Sequence, residues 1–86
     1  MTTALIVLNR KIKDEDLFIK LFKRSSFIIC ADGGANRLYD MSLFENSSLS
    51  REDFIPMAIV GDLDSARSNV QDYYRQKGTQ IAYVED

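Results

Sequence analysis

The chain has 86 residues, 45% apolar and 28% charged, ordinary globular usage that excludes intrinsic disorder and leaves room for one small folding unit, not two. Its 11 basic and 13 acidic residues are interspersed and sum to −2, which argues against nucleic acid as a partner. No apolar run approaches the roughly 20 residues of a membrane helix. Nor does a leader pattern follow Met1-Thr2-Thr3, so the expected setting is the cytoplasm, with no membrane partner.

Ala4-Leu5-Ile6-Val7-Leu8 is too short for a helix and rich in β-branched residues, the pattern of a strand buried on both faces. Asn9 and Arg10 end it, and Arg10, Lys11 and Lys13 form a solvated turn. From Asp14 to Lys23, Leu17, Phe18, Leu21 and Phe22 recur at helical spacing, with Asp14 as N-cap and Lys23 and Arg24 suited to the C-terminal dipole. Phe27 to Ala31 repeats the strand pattern, with Cys30 inside it as core packing, and stops at Asp32-Gly33-Gly34. A helix begins near Ala35 to Tyr39, and Asp40 to Asp53 has no periodicity and reads as a loop with at most a helical turn.

After Pro56, Met57 to Val60 is a third strand ending at Gly61-Asp62-Leu63-Asp64-Ser65. Ser65 caps a helix from about Ala66 to Lys77, with Val70, Tyr73 and Tyr74 on its packed side and Gly78 as its stop signal. Ile81 to Val84 is the fourth strand. Strands alternating with helices imply an α/β domain, a Rossmann-like doubly wound parallel sheet of about four strands with helices on both faces. The chain stops at Glu85-Asp86 where such a fold would begin its next loop, so the expectation is a truncated domain, marginally stable by itself.

Open parallel sheets bind ligands beyond the carboxyl ends of their strands. The sequence contains no histidine, so chemistry there runs on carboxylates and hard cations. At the second strand end, Asp32 sets a carboxylate at the tip, and Gly33 and Gly34 let a backbone approach a phosphate where Ala35 and Asn36 open a helix. The plainer alternative is a left-handed turn closing the strand. At the third strand end, Asp62 and Asp64 lie two apart and in extended geometry share a side, the arrangement for one Mg²⁺ whose shell is completed by phosphate oxygens. Capping of the next helix is the alternative, opposed by the repulsion of two like charges. Arg37 is open between a phosphate contact and a solvated surface charge.

The run Cys30-Ala31-Asp32-Gly33-Gly34-Ala35-Asn36-Arg37-Leu38-Tyr39-Asp40, then Gly61-Asp62-Leu63-Asp64-Ser65, then Tyr73-Tyr74 with Lys77-Gly78, resembles the thiamin pyrophosphokinase catalytic domain in order and spacing. The opening Ile6-Val7-Leu8-Asn9 is similar too, so the likeness covers nearly the whole chain. The resemblance implies transfer of pyrophosphate from ATP to the thiamin hydroxyl with Mg²⁺, giving thiamin diphosphate and AMP. It places Asp32, Asp62 and Asp64 at the metal and pyrophosphate, and Gly33, Gly34 and Asn36 along the nucleotide. Asp62 and Asp64 are the catalytic candidates, metal ligands first and proton acceptors second.

Family members continue with an acidic Asp-Gln-Asp-x-Thr-Asp-Phe-like segment and a β-sandwich domain that completes the thiamin pocket across a homodimer. Residues 1–86 therefore correspond to the N-terminal portion of the ATP-binding catalytic domain without the C-terminal β-sandwich, and no significant turnover is expected from them alone. Two other readings stay open. A haloacid dehalogenase-type phosphatase or phosphotransferase also places an Asp-x-Asp after a buried strand, with the first aspartate as nucleophile; a non-catalytic fragment that binds nucleotide weakly is the other.

Overall fold

The computed structural model describes residues 3–61 and 64–83. Asp62, Leu63 and Val84, at which the sequence places a site carboxylate, part of the third strand-end motif and the end of the last strand, lie outside the described residues. The elements run β1 (Ala4–Val7), α1 (Glu15–Arg24), β2 (Phe27–Ala31), α2 (Gly34–Tyr39), α3 (Leu43–Asn46), a 3₁₀ turn (Arg51–Asp53), β3 (Ala58–Gly61), α4 (Ser68–Gln76) and β4 (Gln80–Tyr83). All neighbouring strands pair in parallel, in the order β1-β2-β3-β4. This is the open α/β parallel sheet that the alternation of apolar runs implies. No helix among the described residues is long and apolar enough to cross a membrane.

The register sets the two faces. Val7, Cys30, Ile59 and Ile81 are aligned across the sheet, and Leu5 is aligned with Ile28. Side chains on this face join Ile19 and Phe22 of α1, Ala35 and Leu38 of α2, and Val70 and Tyr74 of α4 in one apolar core. The other face carries Ile6, Ile29 and Ala58 in one row and Ala31, Val60 and Ala82 in the next. Consecutive strand order with crossovers of one hand puts successive helices on the same side. The second helical layer of the doubly wound reading is accordingly not among the described residues. The expectation that the first strand is buried on both faces does not hold, since Ile6 is 60% exposed while Val7 is 3% exposed.

Local chemistry explains the helices. Asp14 caps α1 by accepting from the Leu17 amide at 3.0 Å, and acidic Glu15 and Asp16 against basic Lys23 and Arg24 match its dipole. Its buried Phe22 meets Phe54 edge-on, with ring centroids 5.2 Å apart, fastening the helix to the segment before β3. Burying one such ring contributes on the order of 2–3 kcal/mol. The stretch from Asp40 to Asp53 is more ordered than its composition suggests. The Glu15 carboxylate accepts from the Ser42 and Leu43 amides at 3.1 and 2.9 Å, satisfying the start of α3 from another helix. Arg51 lies 4.1 Å from the Tyr39 ring centre and donates to the Tyr39 carbonyl at 2.9 Å.

Candidate functional site

The turn after β2 begins with Asp32 in a left-handed conformation, φ 51°, a region that aspartate tolerates better than most residues. Its amide donates to the Val60 carbonyl at 2.8 Å, so the tip of β2 stays tied to β3. Its carboxyl group occupies the space that a Cβ at Gly61 would fill. Gly61 has φ 126°, so glycine is required there both by conformation and by the neighbouring carboxylate. Asp32 is thereby held beside the residue that immediately precedes Asp62. The left-handed residue of this turn is the aspartate, not a glycine.

Gly33 and Gly34 serve a different end. Gly33 has φ −70°, which any residue adopts, but a Cβ there would meet the Asn9 side chain. A Cβ at Gly34 would fall on the Val7 carbonyl. The two glycines let α2 close onto the end of β1. They are buried, and the space a side chain would take is filled by the chain itself.

Asn36 faces the loop after β3. Its Nδ2 donates to the Ser65 carbonyl at 2.7 Å, and its Oδ1 accepts from the Arg67 amide at 3.0 Å. One turn further along, the Asp40 carboxylate accepts from Arg67 Nη2 at 2.6 Å. The Gln71 amide adds a bond to the Ala66 carbonyl at 2.8 Å. These bonds explain why α4 starts at Ser68 with Arg67 as its N-cap, and not at Ala66 behind Ser65: the Ser65 carbonyl and the Arg67 amide are taken by Asn36 of α2 before the helix begins. Asp64 is exposed in this loop. Asn9, Asn36, Arg37, Asp40 and Arg67 line a polar cleft of about 310 Å³ at the strand ends. Arg37 is exposed, with its Nε donating to Asn9 Oδ1 at 3.0 Å.

Asn9, Asp40 and Arg67 went unnoticed in the sequence as members of this cluster. The available signal was the spacing of Asn36 and Asp40, four apart and therefore on one helix face. Cys30 is wholly buried and its thiol is pushed up to about 12 by that burial, so it packs and does not attack. Tyr74 is equally buried against Tyr39 and Tyr73, and its hydroxyl finds no partner among the described residues.

The donor set suits hard cations such as Mg²⁺ or Mn²⁺ and not softer metals such as Zn²⁺ or Cu⁺: carboxylate oxygens are at hand, histidine is missing from the sequence, and the one thiol is sealed in the core. The described residues alone bring together no cluster of three such donors, Asp62 being outside them. Asp32 and Asp64 are the described carboxylates that would hold the ion.

Comparison with known proteins agrees with the strand-end motifs. Residues 18–86 match the family model described as thiamin pyrophosphokinase, catalytic domain. The thiamine pyrophosphokinase of Saccharomyces cerevisiae is 40% identical over 80 residues, covering 92% of this chain and 24% of the relative. Thiamine pyrophosphokinase 3 of Oryza sativa is 42% identical over 82 residues, covering 91% of this chain and 30% of the relative. The solved structure of thiamin pyrophosphokinase from Candida albicans superposes with a TM-score of 0.80 at 41% identity, over 93% of this chain and 25% of that one. The chain thus spans about a quarter to under a third of the length of these relatives. With Asp32, Gly33, Gly34, Asn36 and Asp64 all inside the matched residues, the chain belongs to the thiamin pyrophosphokinase catalytic-domain family.

Proposed function

We propose that the chain carries the nucleotide- and metal-binding part of a cytoplasmic thiamin pyrophosphokinase, which transfers pyrophosphate from ATP to thiamin and releases AMP. The observation that carries this reading is the Asp32 carboxyl packed against Gly61 at the ends of two adjacent parallel strands, with Asp64 in the loop beyond. Strand ends of an open parallel sheet are where such folds take their ligands.

In the reaction, the thiamin hydroxyl oxygen forms a bond to the β-phosphorus of ATP. The bond from that phosphorus to the α,β-bridging oxygen breaks, AMP leaves, and the hydroxyl proton passes to a base. Bound Mg²⁺ supplies charge neutralisation on the phosphate oxygens. Asp32, Asp62 and Asp64 would hold the ion, and Asp62 or Asp64 would accept the proton when not engaged with it. Gly33 and Gly34 bring the start of α2 close to β1, which shapes the floor on which the nucleotide rests; Asn36 borders it.

Residues 1–86 are the N-terminal part of the catalytic domain in this reading, and the family's homodimer and further domain supply most thiamin contacts. By themselves the 86 residues bind ATP with Mg²⁺ and turn over little thiamin. Calorimetric titration with ATP, with and without Mg²⁺, tests the reading: binding that requires Mg²⁺ and is lost in Asp64→Asn is the expected result. Absence of binding, or a phosphorylated aspartate after incubation with ATP, would sink it.

A further inference from the structure

We infer that Asn36 is a positioning residue, which holds the backbone just after Asp64 against α2 and so sets the place of Asp64 relative to Asp32. This inference rests on the metal-binding reading of those aspartates. It gives Asn36 a task beyond bordering the nucleotide.

The geometry is specific. A primary amide has one end that donates and one that accepts, and Asn36 uses both on a single stretch of backbone: Nδ2 to the Ser65 carbonyl at 2.7 Å, and Oδ1 from the Arg67 amide at 3.0 Å. The stretch begins one residue after Asp64. Asp40, the C-cap of the same helix, takes the Arg67 guanidinium at 2.6 Å. Asn36 and Asp40 thus make three bonds to residues 65–67.

On the other side of the loop, Gly61 is fixed in the β3–β4 pairing, with Asp32 against it. Asp64 is followed directly by backbone that α2 holds. Helix α2 itself is seated on β1 through Gly34. The turn leading into it carries Asp32, so one segment carries one carboxylate and the clamp for Asp64. A shift of α2 would move both together, and the spacing between them would survive.

Groups that orient metal ligands without touching the metal change metal affinity by roughly 10- to 100-fold when removed. The test uses the 86-residue chain, Mn²⁺ alone as the probe, and water-proton relaxation as the readout, with circular dichroism to check folding. Asn36→Ala should remain helical and lose roughly tenfold or more in Mn²⁺ affinity. Arg67→Ala is the second variant, at a side chain 48% exposed, so that folding is retained. Electrostatics alone would make Mn²⁺ bind more tightly once a nearby cation is gone, whereas loss of the Asp40 anchor should make it bind several-fold more weakly.

The outcomes separate cleanly. If Asp64→Asn weakens Mn²⁺ binding while folded Asn36→Ala and Arg67→Ala bind at least as well as the parent, the clamp is overturned and the metal reading stands. Tighter binding by Arg67→Ala overturns it even if Asn36→Ala fails to fold. If the parent chain binds no Mn²⁺, or Asp64→Asn binds as the parent does, the metal reading itself fails and the clamp goes with it.

Discussion

The turns after β2 and β3 look alike in sequence, each placing glycine beside aspartate, yet they use the two residue types in opposite ways. After β2 the aspartate takes the left-handed backbone, and the glycines have the task of letting α2 lie on the Val7 carbonyl. At the end of β3 the glycine takes the left-handed backbone, and its missing side chain makes room for the Asp32 carboxyl. One strand end uses glycine to seat a helix, the other to admit a carboxylate. The lesson is that a Gly-Asp pair at a strand end does not declare its role until its neighbour across the sheet is known.

Substitution of the glycines can break this contrast, and Gly34→Ala should have the largest effect. A backbone carbonyl cannot swing aside as a side chain can, so the added methyl forces α2 off β1 at a cost of about 3 kcal/mol. For a domain of this size that lowers Tm by roughly 15 °C in a thermal melt followed by circular dichroism. A melt unchanged from the parent would mean that α2 is not seated through this residue.

Gly61→Ala should cost less, about 2 kcal/mol, from the positive φ together with displacement of the Asp32 carboxyl. If Asp32 holds metal as proposed, the substitution should also weaken Mn²⁺ binding. Normal Mn²⁺ affinity in a destabilised Gly61→Ala chain would show that Asp32 is not part of the site.

The strands feeding the two turns differ in their response to pH. β3, Ala58–Gly61, carries no ionisable side chain, while β2 carries Cys30, whose thiol is pushed up to about 12 from its ordinary 9.0 by burial. Between pH 9.0 and 12 the unfolded chain gives up a thiol proton that the folded chain keeps, so stability falls as pH rises. The slope approaches about 1.4 kcal/mol per pH unit. Tyr74 is raised above 10.0 for the same reason and adds the same sign. Urea midpoints of the parent and Cys30→Ala between pH 8 and 11 check this: the variant should show the shallower decline.

The smallest effect belongs to Gly78→Ala. This glycine shares the positive backbone of Gly61, with φ 98°, but none of the described residues comes within 4 Å of where its side chain would be. About 1 kcal/mol is expected from conformation alone. Subtracting it from the Gly61→Ala loss isolates the part owed to the Asp32 carboxyl.

Much of the fold was legible because it is local. Apolar runs gave the strands to within a residue or so at the described ends, and Asp14 followed by the Leu17-Phe18-Leu21-Phe22 stripe gave α1 with its cap. What stayed hidden is held from a distance. The order in Asp40 to Asp53 depends on Glu15 and Arg51 reaching across the fold, and the late start of α4 depends on Asn36. The family motif marks Asn36 as an expected site residue, but no spacing rule shows which backbone its amide meets. The strand pattern likewise tells which side chains suit burial without telling what covers them, as Ile6 shows.

That open sheet face governs how the chain behaves when concentrated. Ile6 and Phe27, 60% and 45% exposed, stand on the side away from the helices, and a formal charge of −2 gives molecules little mutual repulsion. Salts that strengthen apolar association, such as sulfate, should salt the chain out readily, and extra acidic residues at Ile6 and Phe27 should raise its colloidal stability while leaving the core on the helical side intact.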